Sequence, residues 1–378
     1  MKQHFFSASW VPATRWLQTL ACLLLIGVAL PSCEDDNPDP TVLIQPIGPP
    51  PAYAPNIDPQ MLAVIEQFTS YNTPPLPTLS PRQARMAPSI TDAVQDLLKK
   101  NNRPAPAANV TVTQRLLPGG ITPQSAPDGL LVRVYTPNGL TGPLPVVVYY
   151  HGGGWVIGSL DVYEPSAKAL AENTGAIVVS VDYRLSPEAK FPAAHEDAYA
   201  AYKWVKENAA SIGGNPAKVA VAGESAGGNM ATGVCLLAKE RSYALPIHQL
   251  LVYPVANNDL NTASYNQYAA AMPLNRPGIQ YFTANYFRTM ADGDDRLLSL
   301  VDVADLRGLP AATIIAAEID PLQTEGKQLA DKFTQVGVAN LYMIYPGTTH
   351  EFFGTYAVVP KALEAQQLAA NRLKEAFR

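Results

Sequence analysis

The pentapeptide Gly223-Glu224-Ser225-Ala226-Gly227 stands directly after the apolar run Val219 to Ala222 and ahead of a helical stretch. A serine between two glycines at a strand-to-helix junction is the arrangement that an alcohol nucleophile needs. The glycines let the chain reverse sharply, which leaves the Ser225 side chain exposed where a helix N-terminus favours developing negative charge. A second glycine-rich turn, His151-Gly152-Gly153-Gly154-Trp155, follows the run Val146 to Tyr150. Its consecutive glycines leave backbone N–H groups unobstructed, as donors to a tetrahedral oxyanion must be, and Ala226 after the serine supplies a third. Glycine-rich turns also cradle phosphate, but the Walker and dinucleotide patterns are both absent.

A serine nucleophile needs a base, and the five histidines separate by position. His4 lies in the N-terminal leader, His195 falls in a helical pattern, His248 precedes its strand at the wrong edge, and His151 belongs to the glycine turn. That leaves His350, which lies just beyond the carboxyl end of a strand. The same test applied to acids selects Asp320, which ends the run Ala316 to Ile319 and is halted by Pro321. Glu318 sits inside that strand, and Asp302 and Asp305 precede it. The order Ser225, Asp320, His350 is the nucleophile–acid–base order of α/β-hydrolases and differs from those of the two serine-protease folds. In this scheme His350 must be neutral to act, so activity is expected to rise through about pH 6 to 7.

These groups must be carried by a sheet. Val146 to Tyr150, Ala176 to Val181, Val219 to Ala222 and Leu250 to Tyr253 are continuous apolar runs, the signature of strands buried on both faces. Helical patterns separate most of them, near Tyr163 to Thr174, Ala194 to Ala209 and Ser225 to Lys239. Strands at Thr313 to Ala317 and Asn340 to Tyr345 follow, with helices near Glu325 to Val336 and Lys361 to Phe377. Val110 to Leu117 and Leu130 to Tyr135 read as an antiparallel opening. The alternation predicts an α/β fold with a mainly parallel sheet, helices on both faces and reactive groups at the strands' carboxyl ends. Two helices precede any strand. The first starts at Asp58 and Pro59 and carries Met61, Leu62, Val64, Ile65 and Phe68 at helical spacing, and the second runs from about Thr91 to Lys100. About 55 residues between Val255 and Ala311 are too many for a simple crossover and predict an insertion beside the site. Phe68, Tyr71, Tyr281, Phe282, Tyr286 and Phe287 fall in these two segments and are candidates to wall an acyl pocket.

Composition narrows the remaining choices. The chain has 378 residues, 27 Lys+Arg against 32 Asp+Glu and 47% hydrophobic residues. A mildly acidic globular chain without a basic run lacks the field that nucleic acids require. Three cysteines, of which Cys22 and Cys33 lie near the N-terminus, make no disulfide framework. Lys2, His4 and Arg15 precede the uncharged run Leu17 to Leu30, which is too short to span a bilayer and reads as an export signal over residues 1–32. Leu30-Pro31-Ser32-Cys33 resembles a bacterial lipoprotein cleavage box, and the acidic residues after it resemble a surface-export signal of some Gram-negative lipoproteins. Lipidation of Cys33 would anchor the exported protein to a membrane of the cell envelope; ordinary secretion or periplasmic release is the alternative. Between Pro38 and Pro59 eight of 22 residues are proline, so residues 33–57 are expected to form a stiff spacer, with residues up to Asn56 dispensable for folding.

Together, His151-Gly152-Gly153-Gly154, Gly223 to Gly228, Asp182-Tyr183-Arg184-Leu185-Ser186-Pro187-Glu188, Phe191-Pro192-Ala193-Ala194, Asp320-Pro321-Leu322 and His350 resemble the bacterial hormone-sensitive-lipase family of carboxylesterases. The likeness extends from about Asp58 to near the C-terminus. It implies an α/β-hydrolase domain over 58–378, with an eight-stranded sheet and a helical cap built from about 58–105 and about 256–310. It further implies oxyanion donors at Gly153, Gly154 and Ala226, and hydrolysis of short- to medium-chain acyl esters with neither cofactor nor metal. The partners it implies are a small ester substrate and, through Cys33, a membrane. Many relatives carry Gly after the histidine where this chain has Glu351, and Gln323-Thr324 replace a charged pair; both differences bear on substrate preference. Arg184 is expected to anchor its turn by ion pairing. Competing readings are a deacetylase of carbohydrate or other small esters, and a non-catalytic surface lipoprotein that keeps the fold.

Overall fold

The computed structural model describes residues 43–378; the expected export signal and Cys33 lie outside the described residues. Eight strands form one sheet: β1 (Val110–Leu117), β2 (Leu130–Pro137), β3 (Leu144–Tyr150), β4 (Ile177–Val181), β5 (Gly214–Glu224), β6 (Gln249–Val252), β7 (Ala312–Ile319) and β8 (Asn340–Thr349). Their order across the sheet is β1-β2-β4-β3-β5-β6-β7-β8. β2 pairs antiparallel with both β1 and β4, and every other pairing is parallel. This is the mainly parallel α/β-hydrolase sheet that the continuous apolar runs predict.

Successive side chains on a strand point to opposite faces, so each run feeds two cores. Val146, Val148 and Tyr150 join one core with α5 (Ala193–Asn208), α6 (Ala226–Glu240) and α9 (Gln323–Gln335). Val147 and Tyr149 join the other with α4 (Glu164–Thr174), α10 (Pro360–Ala376), α1 (Pro59–Ser70) and α3 (Ile90–Lys100). α1 starts as its sequence dictates: Asp58 caps it by accepting from the Gln60 and Met61 N–H groups, and Pro59 opens the first turn. Among the described residues no helix is long and apolar enough to cross a membrane.

Two expectations need correction. Residues 44–57 are not a free spacer, because Ile44, Ala54 and Ile57 are buried in the core of the α1 face. The Ile47 and Gly48 N–H groups bond the Glu66 carboxylate at 2.7 and 2.6 Å, and Asp58 N–H bonds the Gly347 carbonyl at 2.9 Å. Proline density signals missing regular structure, but a strap without periodicity can still bury side chains if the body offers it a groove. The cap boundary also shifts. The apolar faces of α1 and α3 belong to the body's core, whereas the roof over the site comes from residues 73–90 and from the insertion. The proline-broken stretch holds a short helix, α2 (Pro81–Met86); the insertion carries α7 (Ala263–Gln267) and α8 (Arg276–Tyr286). Leu76, Leu79 and Ala84 pack there against Leu274, Ile279 and Phe282.

Candidate active site

β5 runs straight into Ser225, which has φ 56° and ψ −118° and whose following residue begins α6. Such positive φ is costly for a residue with a Cβ and marks a functional turn. The tightness of the turn explains its glycines: a Cβ at Gly227 would lie 2.0 Å from the Tyr150 carbonyl oxygen, and one at Gly223 2.2 Å from Gly227 itself. Ser225 N–H continues the sheet by donating to the Val252 carbonyl at 2.9 Å. The Ser225 side chain therefore leaves the sheet at its carboxyl edge, beside the α6 N-terminus.

Sheet register brings Asp320 and His350 together. Ile319 on β7 is the partner of Thr349 on β8, so the next residues, Asp320 and His350, leave the sheet side by side. His350 Nδ1 lies 2.7 Å from Asp320 Oδ2, both side chains being buried. The other carboxylate oxygen, Oδ1, accepts from Leu322 N–H at 2.9 Å, which fixes the carboxylate plane. Burial alone would lower the His350 pKa, but Asp320, with Glu351 and Glu224 adding to it, raises it above the ordinary value.

The other buried histidines are engaged elsewhere. Burial drives His151 and His195 down to a pKa of about 4. His151 stacks on Tyr183 with ring centroids 4.2 Å apart. His195 links the Tyr286 hydroxyl to Asn229, 2.8 Å on each side, and Asn229 reaches the Val255 carbonyl at 3.0 Å. This chain of polar contacts ties α8 to α5 and α6, and so fixes where the insertion sits over the body.

Gly153 and Gly154 line the same cavity as Ser225 and His350, and Ala226 opens α6. Gly154 has φ +58°, and a Cβ there would lie 2.2 Å from Phe282 Cγ, so the α8 aromatic ring rests directly on the glycine turn. The cavity has a volume of about 780 Å³. Of the aromatic candidates, Phe68, Phe282 and Phe287 line it. Tyr286 stacks on Trp155 at 4.6 Å instead, and the Tyr71 hydroxyl donates to Asp96 at 2.7 Å.

Arg184 anchors its turn as expected. Its Nε lies 2.7 Å from Asp197 Oδ2, and the buried Asp197 also accepts from the Arg184 and Ala126 backbone N–H groups. One residue of this region escaped the sequence reading. Arg85 on α2 binds both Glu188 oxygens at 2.9 and 2.6 Å and the Val156 and Ser186 carbonyls at 2.8 and 2.7 Å, joining the roof to the Ser186–Glu188 turn. A signal was present: Ser80-Pro81-Arg82-Gln83 is a capping box with proline at N1, which marks the start of α2.

The geometry is that of an α/β-hydrolase with a covered, largely apolar site, and the comparisons agree. A family model described as alpha/beta hydrolase fold matches residues 147–354. The carboxylesterase NlhH of Mycobacterium tuberculosis is 44% identical over 256 residues, 66% of this chain and 80% of that protein. The ethyl acetate hydrolase of Pseudomonas putida is 34% identical over 252 residues, 65% of this chain and 78% of that protein. The crystal structure of a thermostable esterase from Pseudomonas putida superposes with a TM-score of 0.78 at 31% identity, covering 86% of this chain and 99% of that one. The chain belongs to the hormone-sensitive-lipase-like family of bacterial carboxylesterases. It is a carboxylic ester hydrolase.

Proposed function

We propose that the enzyme hydrolyses short- to medium-chain acyl esters through an acyl-enzyme on Ser225. The observation that carries this reading is the buried His350–Asp320 pair at 2.7 Å opening onto the cavity that Ser225 also lines. His350 takes the Ser225 proton as Oγ attacks the ester carbonyl, while Asp320 holds Nδ1–H and stabilises the imidazolium. The Gly153, Gly154 and Ala226 N–H groups receive the oxyanion. His350 then gives its proton to the departing alcohol, and water, activated in the same way, releases the acid. Leu76, Leu79, Leu274, Ile279 and Phe282 supply an apolar wall for the acyl chain, and the name of the ethyl acetate hydrolase agrees with a short acyl group.

A p-nitrophenyl ester series tests both parts. Ser225→Ala should lower kcat by roughly 10⁴ to 10⁶. In the wild type kcat/KM should rise from acetyl by up to about fourfold per methylene, about 0.8 kcal/mol each, to an optimum near four to eight carbons. Retained activity in Ser225→Ala refutes the nucleophile, and a preference for emulsified palmitoyl esters refutes the bounded acyl pocket. We also propose that the chain is exported and held on a membrane by lipid on Cys33, a reading supported by the Leu30 to Cys33 box. Loss of detergent-phase partitioning in Cys33→Ala would bear it out, and unchanged partitioning would count against it.

A further inference from the structure

Directly after His350 stands Glu351, in left-handed backbone at φ +68°, a conformation that favours glycine. A charged side chain is nevertheless kept there, and it lines the cavity. The Tyr163 hydroxyl donates to its Oε1 at 2.5 Å. That hydroxyl is itself wedged against the glycine turn, since a Cβ at Gly152 would lie 2.3 Å from it. Among the described residues Oε2 has no hydrogen-bond partner, and it is not sealed from the cavity. Ser159 and Val162 line the wall beside Tyr163. This end of the cavity thus presents a fixed, unpaired acceptor one residue from the base, in contrast to the apolar wall under α8.

The departing alcohol must leave beside His350, because His350 gives it its proton. A carboxylate there is acceptor-only when ionised and satisfies itself on a substrate donor. We propose that Glu351 is a specificity-determining residue of the alcohol subsite, which takes esters whose alcohol part carries a free hydroxyl close to the ester oxygen, as in a glycol, glycerol or sugar ester. This assignment rests on the acyl-enzyme reading above. In the step concerned the tetrahedral adduct on Ser225 Oγ collapses: the carbonyl reforms, the ester C–O bond breaks and the acyl group stays on Oγ. The alcohol oxygen takes the His350 proton, while its neighbouring hydroxyl donates to Glu351 Oε2. Anionic leaving groups are repelled by the same carboxylate.

The test compares 2-hydroxyethyl butyrate with propyl butyrate, two esters of nearly equal size, at pH 8. Any change in His350 basicity acts on both esters alike and cancels in the ratio of their kcat/KM values. Removing a hydrogen bond to a charged acceptor should lower that ratio at least tenfold in Glu351→Gly, a substitution that suits the backbone. Glu351→Gln, which keeps size and one acceptor oxygen, should lower it less. A ratio that moves by under threefold in Glu351→Gly overturns the assignment while leaving the nucleophile untouched. Hydrolysis of either ester by Ser225→Ala would instead overturn the serine reading beneath it.

Discussion

Replacing Asp320 with Asn changes one atom and isolates what the carboxylate contributes. Asp320 Oδ1 accepts from Leu322 N–H at 2.9 Å while Oδ2 faces His350 Nδ1 at 2.7 Å. An asparagine must keep its oxygen on Leu322 N–H, so its NH₂ group turns to His350 and makes Nδ1 an acceptor. The ring proton then sits on Nε2, where it blocks the base from taking the Ser225 proton. Turning the amide round sets two buried donors against each other at Leu322, which costs about 1–3 kcal/mol. The imidazolium also loses a carboxylate in direct contact, worth about 4 kcal/mol at an effective dielectric of 20 and 4 Å. Together these come to about 5–7 kcal/mol, or roughly 10⁴-fold or more in kcat. Steady-state hydrolysis of p-nitrophenyl butyrate at pH 8 measures the loss, and thermal melting checks that the fold survives. If Asp320→Asn keeps more than about a tenth of wild-type kcat, both the acid assignment and the tautomer argument are wrong.

The raised His350 pKa moves the neutral, active form to higher pH, so the ascending limb of kcat/KM should have its midpoint above the ordinary 6.5; an inflection below 6 would contradict the geometry. A chain beginning at residue 43 keeps the buried Ile44 and Ala54, and one beginning at residue 57 loses them and should be less stable than the first by about 2–4 kcal/mol. Equal denaturant midpoints for the two truncations would show that the strap contributes nothing. Asp197→Ala removes the partner of Arg184 and the acceptor of two backbone N–H groups, and should cost about 3 kcal/mol after allowing for the partly exposed guanidinium. A loss below 1 kcal/mol by urea unfolding would mean that the turn is held by something else.

Much of the candidate site's local structure was legible because it depends on short segments. A strand end, two glycines and a serine specify the turn at Ser225 locally, since a Cβ at Gly223 would lie 2.2 Å from Gly227 four residues on. The continuous apolar runs announced strands covered on both sides, and Asp58 with Pro59 announced the start of α1. Asp320 and His350 could be chosen one at a time as residues just past strand ends. Their contact, however, is a consequence of β7 and β8 pairing in the register that sets Ile319 against Thr349. Burial of the strap at Ile44 and Ala54, the inclusion of α1 and α3 in the main core, and the reach of Arg85 to Glu188 across about a hundred residues were decided by tertiary packing alone. The physical reason is common to all three: local sequence sets backbone preference, but whether an aperiodic apolar residue or a long charged side chain finds a partner depends on surfaces assembled from distant segments. Glu351 shows both levels at once. Its place after His350 is read from the chain, while the Tyr163 hydroxyl that holds its carboxylate comes from 188 residues away and is brought there by the fold.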